Sequence, residues 1–235
     1  MRQQQKGFTL VEIAIVLVII GLLLGGILKG QELINSARVR NLADSTSGIQ
    51  AAYFGFIDRY RRVPGDWDTT NAGQAIAGTI NSGGNNNGRL DGTPAYGEPN
   101  ALWEHLSKAG FISGAYNGGV TEPSTNTVVA PQNPYNAAIV MARTNNYMDV
   151  TATPPTRLHL VIGRSTPVDI ARELDTKLDD SNPETGNLRS AAEGAGPLAG
   201  SFSWGGSAVG CVDRTGTAFW DVNADLQDCN TVFLF

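Results

Sequence analysis

From Phe8 to Leu28 the chain reads FTLVEIAIVLVIIGLLLGGIL, apolar or glycine at every position except Thr9 and Glu12. At about 1.5 Å per helical residue such a stretch spans roughly 30 Å, the hydrocarbon thickness of a bilayer. The pattern then changes without a break. Leu33, Ala37, Leu42, Ile49, Tyr53, Phe56 and Tyr60 recur mostly at three-, four- and seven-residue steps with polar residues between them, so the helix continues past the apolar run. Pro64-Gly65 stops it, which predicts one helix from Phe8 to about Arg61, roughly 80 Å long. Arg59, Arg61 and Arg62 fall in its last turn, where cations face the negative end of the helix dipole.

Beyond Pro64 the texture is of short elements separated by Gly, Asn and Pro. Glu98-Pro99-Asn100 opens a helix whose apolar face is Leu102, Trp103 and Leu106 and whose stop is Gly110. Thr166-Pro167-Val168-Asp169 has the form of a capping box opening a helix to about Leu178. Residues 137–142, 158–162, 200–204, 208–212, 217–220 and 232–235 read as short strands. Helices and strands in blocks, without regular alternation, predict an α+β fold with an antiparallel sheet.

Composition sharpens this picture. The chain has 235 residues, a net charge of -5, 17% charged residues and a mean hydropathy of -0.14. That length suits one or two domains. Its polarity comes from Asn, Ser, Thr and 28 Gly rather than from charge. The acidic balance argues against a nucleic-acid binder, which needs a basic excess to neutralise phosphates. Aromatic residues at 8% argue against a coiled coil or full disorder.

Ahead of the apolar run lies MRQQQKG, with Arg2 and Lys6, so the N-terminus is expected to stay cytoplasmic. A secretory signal has a shorter apolar region and a small-residue cleavage site, and neither is present. A plain signal anchor leaves Glu12 unexplained, since a carboxylate at mid-bilayer costs about 2.5–3.5 kcal/mol on insertion scales. Removal of a leader explains it: a cut between Gly7 and Phe8 creates an α-amino group one helical turn from Glu12, or within reach of Glu12 on a neighbouring copy.

Gly7-Phe8-Thr9-Leu10-Val11-Glu12 before the apolar run resembles the cleavage and methylation site of type IV prepilins and type II secretion pseudopilins. Two longer signatures, 56–66 at the helix exit and 174–186, extend the resemblance more weakly. The resemblance implies a leader at 1–7, a pilin helix at 8–62 whose assembly segment is 8–28, and an α+β head at 63–235. It further implies cutting after Gly7 by a prepilin peptidase, methylation of Phe8, and neutralisation of the Phe8 amine by Glu12 of an adjacent subunit. The partners implied are other pilin or pseudopilin subunits and the inner-membrane assembly machinery, with no nucleic acid. Before assembly the chain would cross the inner membrane once, its head in the periplasm or later on an extracellular filament. A structural subunit of a pilus or secretion pseudopilus, not an enzyme, is the function implied. The alternatives are a minor tip pilin with a partner-binding head, and a membrane-anchored extracytoplasmic enzyme. Lys29 stands near where many major pilins have a helix-kinking proline. Gly21, Gly25, Gly26 and Gly30 either let helices approach closely or weaken the helix locally.

The head offers less chemistry. Cys211 and Cys229, placed outside the cytoplasm, read as a disulfide, as is common in pilins; two free thiols or a metal pair are the alternatives, without supporting His or Cys nearby. Two segments are rich in hard oxygen ligands. In the first, Asn85, Asn87 and Asp91 surround a turn at Gly88, with Asp66, Asp68 or Glu98 available to supply charge; in the second, Asp221, Asn223 and Asp225 have D-x-N-x-D spacing but Leu226 where a turn glycine belongs. Calcium is the ion such ligands take, and solvated turns are the plainer reading. Asp175 and Asp179 stand four apart on one helix, a repulsion that a cation or an Arg would relieve. His105 and His159 match no zinc or triad spacing, and no cofactor is required. Trp67, Trp103, Trp204 and Trp220 are expected to be core anchors.

Overall fold

The computed structural model describes residues 10–76, 78–91, 96–123, 128–151, 153–193, 197–198, 202–203 and 207–235. The chain is α+β, 42% helix and 13% strand, with a long N-terminal apolar helix and a C-terminal antiparallel sheet. It divides into two compact units, Met1–Arg38 and Val39–Phe235, and the division falls inside the first helix. That helix, α1, runs Leu10–Tyr60 and stays helical through Gly21, Gly25, Gly26 and Gly30.

In the first unit the described residues are α1 alone, and its apolar side chains from Leu10 to Leu28 are exposed. Leu33 and Ala37, which the periodicity assigns to the buried face, are exposed too. In the second unit the same helix buries Val39, Leu42, Thr46, Ile49, Ala52, Tyr53 and Phe56. These fall mostly three and four residues apart, one stripe of an amphipathic helix. Arg61 closes α1 through its N–H to the Ile57 carbonyl (2.8 Å) and has φ +54°. Gly65 then turns at φ +90°, and a Cβ there would lie 2.5 Å from the Glu98 carbonyl oxygen. Only glycine fits this backbone, so Pro64-Gly65 is both the stop and a close approach to the next helices.

A short helix α2 (Thr69–Ile76), which the pattern does not suggest, is followed by α3 (Gly97–Lys108). Every residue of α3 from Gly97 to Leu106 is buried, so its acids and its histidine need partners inside the protein. The aromatic rings of Phe56, Tyr60, Trp67, His105 and Phe111 meet where α1, α3 and the loops between them converge.

The main sheet holds β1 (Val140–Thr144), β2 (Arg157–Val161), β8 (Thr231–Leu234) and β3 (Leu188–Ser190), antiparallel throughout in the order β1-β2-β8-β3. The C-terminal strand is thus central. Loops cover the free edge of β1: Ile139 N–H donates to the Pro131 carbonyl and Arg143 N–H to the Leu90 carbonyl, both at 2.8 Å, which blocks edge-to-edge pairing. Between β2 and β3 runs α4 (Val168–Leu178). Thr166 does not cap it: its hydroxyl donates to the carbonyls of Gly163 (2.8 Å) and Cys229 (2.9 Å), tying the helix start to the C-terminal segment. Two small two-stranded pairs complete the order, β4 (Pro197–Leu198) with β5 (Phe202–Ser203) and β6 (Val212–Asp213) with β7 (Phe219–Trp220). The strand expected over 208–212 is only β6, because Ala208 to Cys211 make a turn closed by Cys211 N–H on the Ala208 carbonyl.

Candidate functional site

The first half of α1 is a surface built for something other than water. Its apolar window has a mean hydropathy of 2.8 and none of it is buried within the chain. At roughly 25 cal/mol per Å² of exposed apolar area, a run of this length does not stay solvated: it crosses a membrane or packs against other helices. Glu12 sits in its first turn. Gly21, Gly25, Gly26 and Gly30 have no atom beyond the local helix backbone and their chain neighbours within 4 Å of where a side chain would begin, leaving shallow notches along the helix. After the run, Lys29 and Glu32 pair at 2.6 Å (both largely exposed). Gly7 and Phe8, the processing residues expected from the sequence, lie outside the described residues.

The asparagine-rich loop is organised by acids, two of them deeply buried. Asp66 takes the N–H groups of Asn87 (3.1 Å) and Gly88 (2.8 Å), one on each carboxylate oxygen. Glu98 takes the N–H of Asp91 at 2.7 Å. Asn85 and Asn87 accept N–H groups two residues on, from Asn87 and Arg89, and the Asn87 amide donates to Asp91 at 2.9 Å. Asp68 binds Asn71 and Asn86 in the same way. The oxygen atoms that the sequence nominates for calcium in this first segment are therefore gathered round one loop, and the loop's own N–H groups occupy many of them. Burial, with Asp66 and Asp91 nearby, raises the Glu98 pKa to about 7.

Glu104, buried on α3, is a second organiser. It accepts from Asn81 N–H (2.8 Å), Asn81 Nδ2 (3.0 Å), Ser82 N–H (3.0 Å) and Lys108 Nζ (2.6 Å). His105 beside it accepts Gly65 N–H on Nδ1 and meets the Ser82 carbonyl through Nε2. Because Nδ1 is the acceptor, Nε2 carries the proton, and burial lowers the pKa to about 4. A neutral imidazole joining two loops explains His105 without chemistry. His159, buried in β2, is likewise held neutral, its pKa lowered to about 3 by burial.

Cys211 and Cys229 form a disulfide at the centre of a satellite core with Met148, Val168, Ala171, Val212, Ala218 and Trp220. Trp220 donates its indole N–H to Asp175 at 2.7 Å. That bond answers half of the Asp175–Asp179 question: Trp220 and Ser181 serve Asp175, while Asn187 and Leu188 N–H groups serve Asp179. Burial still raises the Asp175 pKa to about 6. In the second oxygen-rich segment, Asp221 accepts Asn223 N–H at 3.0 Å at the start of a 3-10 turn, and Asp225 stands exposed with φ +48°. Trp67, Trp103 and Trp220 are buried core residues; Trp204 lies outside the described residues. Glu104 and the loop-holding use of Asp66 and Glu98 are what sequence reasoning misses. The one signal for Glu104 is an acid among apolar residues on a helix without a clear polar face.

The family model described as the prokaryotic N-terminal methylation motif matches residues 2–28. This is the prepilin-type cleavage and methylation signature, and the match spans Gly7-Phe8 and the apolar half of α1. No curated protein and no solved structure matches the chain. The chain therefore carries the signature of a pilin- or pseudopilin-like prepilin substrate on a helix long and apolar enough to cross a membrane, which implies processing by a prepilin peptidase and assembly with other pilins.

Proposed function

We propose that the chain is a structural filament subunit of a type IV pilus or a type II secretion pseudopilus. It is cut after Gly7, methylated on Phe8 and polymerised through the apolar half of α1. The observation that carries this reading is the juxtaposition of the residue 2–28 signature with a helix that leaves every apolar side chain from Leu10 to Leu28 uncovered. The N-terminus starts in the cytoplasm and the head, residues 63–235, on the far side of the inner membrane. On assembly the helices leave the bilayer and cover one another, and the Phe8 amine of one subunit meets Glu12 of the next. An unpaired carboxylate in such a bundle costs several kcal/mol, so the pair selects one register.

Mass spectrometry of the membrane-extracted chain tests the processing step: a methylated Phe8 start is expected, and an intact Met1 would return the helix to a plain anchor. Glu12→Ala tests the assembly step. Leader cleavage should persist while incorporation into filaments drops sharply, and normal incorporation of that variant refutes the register role. An enzymatic head on an uncut anchor gives the opposite result in the first measurement.

A further inference from the structure

Charge in the second unit is segregated. Residues 39–62 carry four basic side chains against two acidic, whereas residues 165–235 carry eleven acidic against four basic. The basic excess gathers at the end of α1. Arg59, Arg61 and Arg62 are exposed there, and Arg89 is exposed on the asparagine loop. Arg61 and Arg62, with Ile57, Val63, Asn86 and Gly88, line a shallow hollow of about 130 Å³. Asp66 also lines it but directs both carboxylate oxygens to loop N–H groups. Arg61 meets Asp58 at 3.3 Å with both side chains about 80% exposed, a pairing that contributes little and is easily exchanged for another carboxylate.

The acidic excess has its own focus. Asp169 opens α4, and Asp225 and Asp228 flank Leu226, whose carbonyl accepts the Val168 N–H at 2.9 Å. That bond brings three exposed carboxylates to one surface. Asp228 also holds Ser165 N–H at 3.1 Å, which fixes its position. Arg172, three residues along α4 from Asp169, is the nearest basic residue in sequence.

We propose that the arginine-rimmed hollow at the end of α1 receives the Asp169–Asp225–Asp228 surface of a second copy of this chain. The inference rests on the filament reading and adds to it a contact between heads. Two complementary surfaces made of different residues give a heterologous contact, which repeats along an open assembly instead of closing a dimer. Opposite charge brings the patches together and disfavours like-on-like pairing, so this contact sets the orientation of neighbouring heads independently of the apolar helix.

The test uses the full chain in membranes with a benzoylphenylalanine photo-cross-linker at position 62. Cross-linked peptides from a second copy spanning 165–180 or 221–228 are expected. Arg59→Glu/Arg61→Glu should cut their yield several-fold, and co-expressed Asp169→Lys/Asp225→Lys should restore it; should the reversal misfold, Arg59→Gln/Arg61→Gln should still lose part of the yield. Cross-links to another surface or another protein, or a yield indifferent to charge reversal and to salt, overturn the contact. The N-terminus of the same sample separates the two readings. A methylated Phe8 with cross-links elsewhere sinks only the head contact, and an intact Met1 sinks the filament reading and this contact with it.

Discussion

Replacing Cys211 and Cys229 together by Ala should loosen one part of the head before the rest. The disulfide closes a loop with a sequence separation of 18, for which the chain-entropy relation gives about 3 kcal/mol of stabilisation. That is roughly a hundredfold in the unfolding equilibrium, or about 6–12 °C in melting temperature for a chain of this size. Backbone bonds such as Cys229 N–H to the Thr166 carbonyl and the Trp220–Asp175 bond tie the region to α4, but its own secondary structure is slight. Its strands β6 and β7 are two residues each, and its core is a small cluster separate from the main one. The main core, by contrast, joins α1, α3 and the four-stranded sheet. Trp220 reports on the weak part, being buried and bonded to Asp175. In urea titrations of the detergent-solubilised chain carrying Trp67→Phe, Trp103→Phe and Trp204→Phe, the emission of Trp220 should shift red at lower denaturant than helical circular dichroism is lost, and the two transitions should lie closer together when the disulfide is kept. A loss below about 1 kcal/mol, with coincident transitions in both proteins, would show that the lobe is held by packing and not by the bridge.

Two further outcomes follow from the buried acids. Glu98 has its pKa raised from 4.5 to about 7, so the fold favours its protonated form. Its contribution is fully present below about 4.5 and is lost as pH rises through about 7, a swing on the order of 3 kcal/mol. Asp175, raised from 3.8 to about 6, acts in the same direction. Glu98→Gln should therefore flatten the melting temperature between pH 4.5 and 7 relative to wild type, and calorimetry showing an unchanged slope would refute the assignment. Calcium is the other test. Asn87 already donates to Asp91, and loop N–H groups occupy both oxygens of Asp66, so millimolar calcium is expected to leave the melting temperature unchanged; a rise abolished by Asp91→Asn would mean that the loop rearranges to take the ion.

Periodicity alone delivers α1, because an unbroken apolar run and a clean Pro64-Gly65 stop leave few competing structures. It does not separate Leu33 and Ala37, which are exposed, from the buried residues that follow them, because a stripe in the sequence does not say which partner covers it. The head is harder to read for two reasons. Its strands are two to five residues long, shorter than the window in which alternation can be recognised. Its loops are also ordered by side chains distant in sequence: Asp66 binds residues 87 and 88, and Glu104 binds 81 and 82. Thr166 shows the same limit. Its pattern matches a helix cap, but the N-cap position falls on Pro167 and the Thr166 hydroxyl instead donates to the Gly163 and Cys229 carbonyls. In the oxygen-rich loop the residue types are right for a cation, and only the structure shows those oxygens accepting N–H groups.

This use of acids also bears on what a neighbouring subunit meets. Removal of residues 1–7, as proposed, takes Arg2 and Lys6 away and would leave 15 Lys and Arg against 22 Asp and Glu, a net -7. That figure treats every carboxylate as surface charge. Asp66, Glu98, Glu104 and Asp175 are buried and their oxygens are bound inside the head, so their fields are largely absorbed by the donors that hold them. The charge facing outward is carried instead by side chains such as Asp169, Asp225 and Asp228 on one surface and Arg59, Arg61, Arg62 and Arg89 on another. An acidic chain of this design need not repel its own copies. Several acids are consumed in holding loops, and the exposed charges include one arginine cluster and one carboxylate cluster, so a contact between those two surfaces is sensitive to salt over a Debye length of about 8 Å while burial of the apolar helix is not.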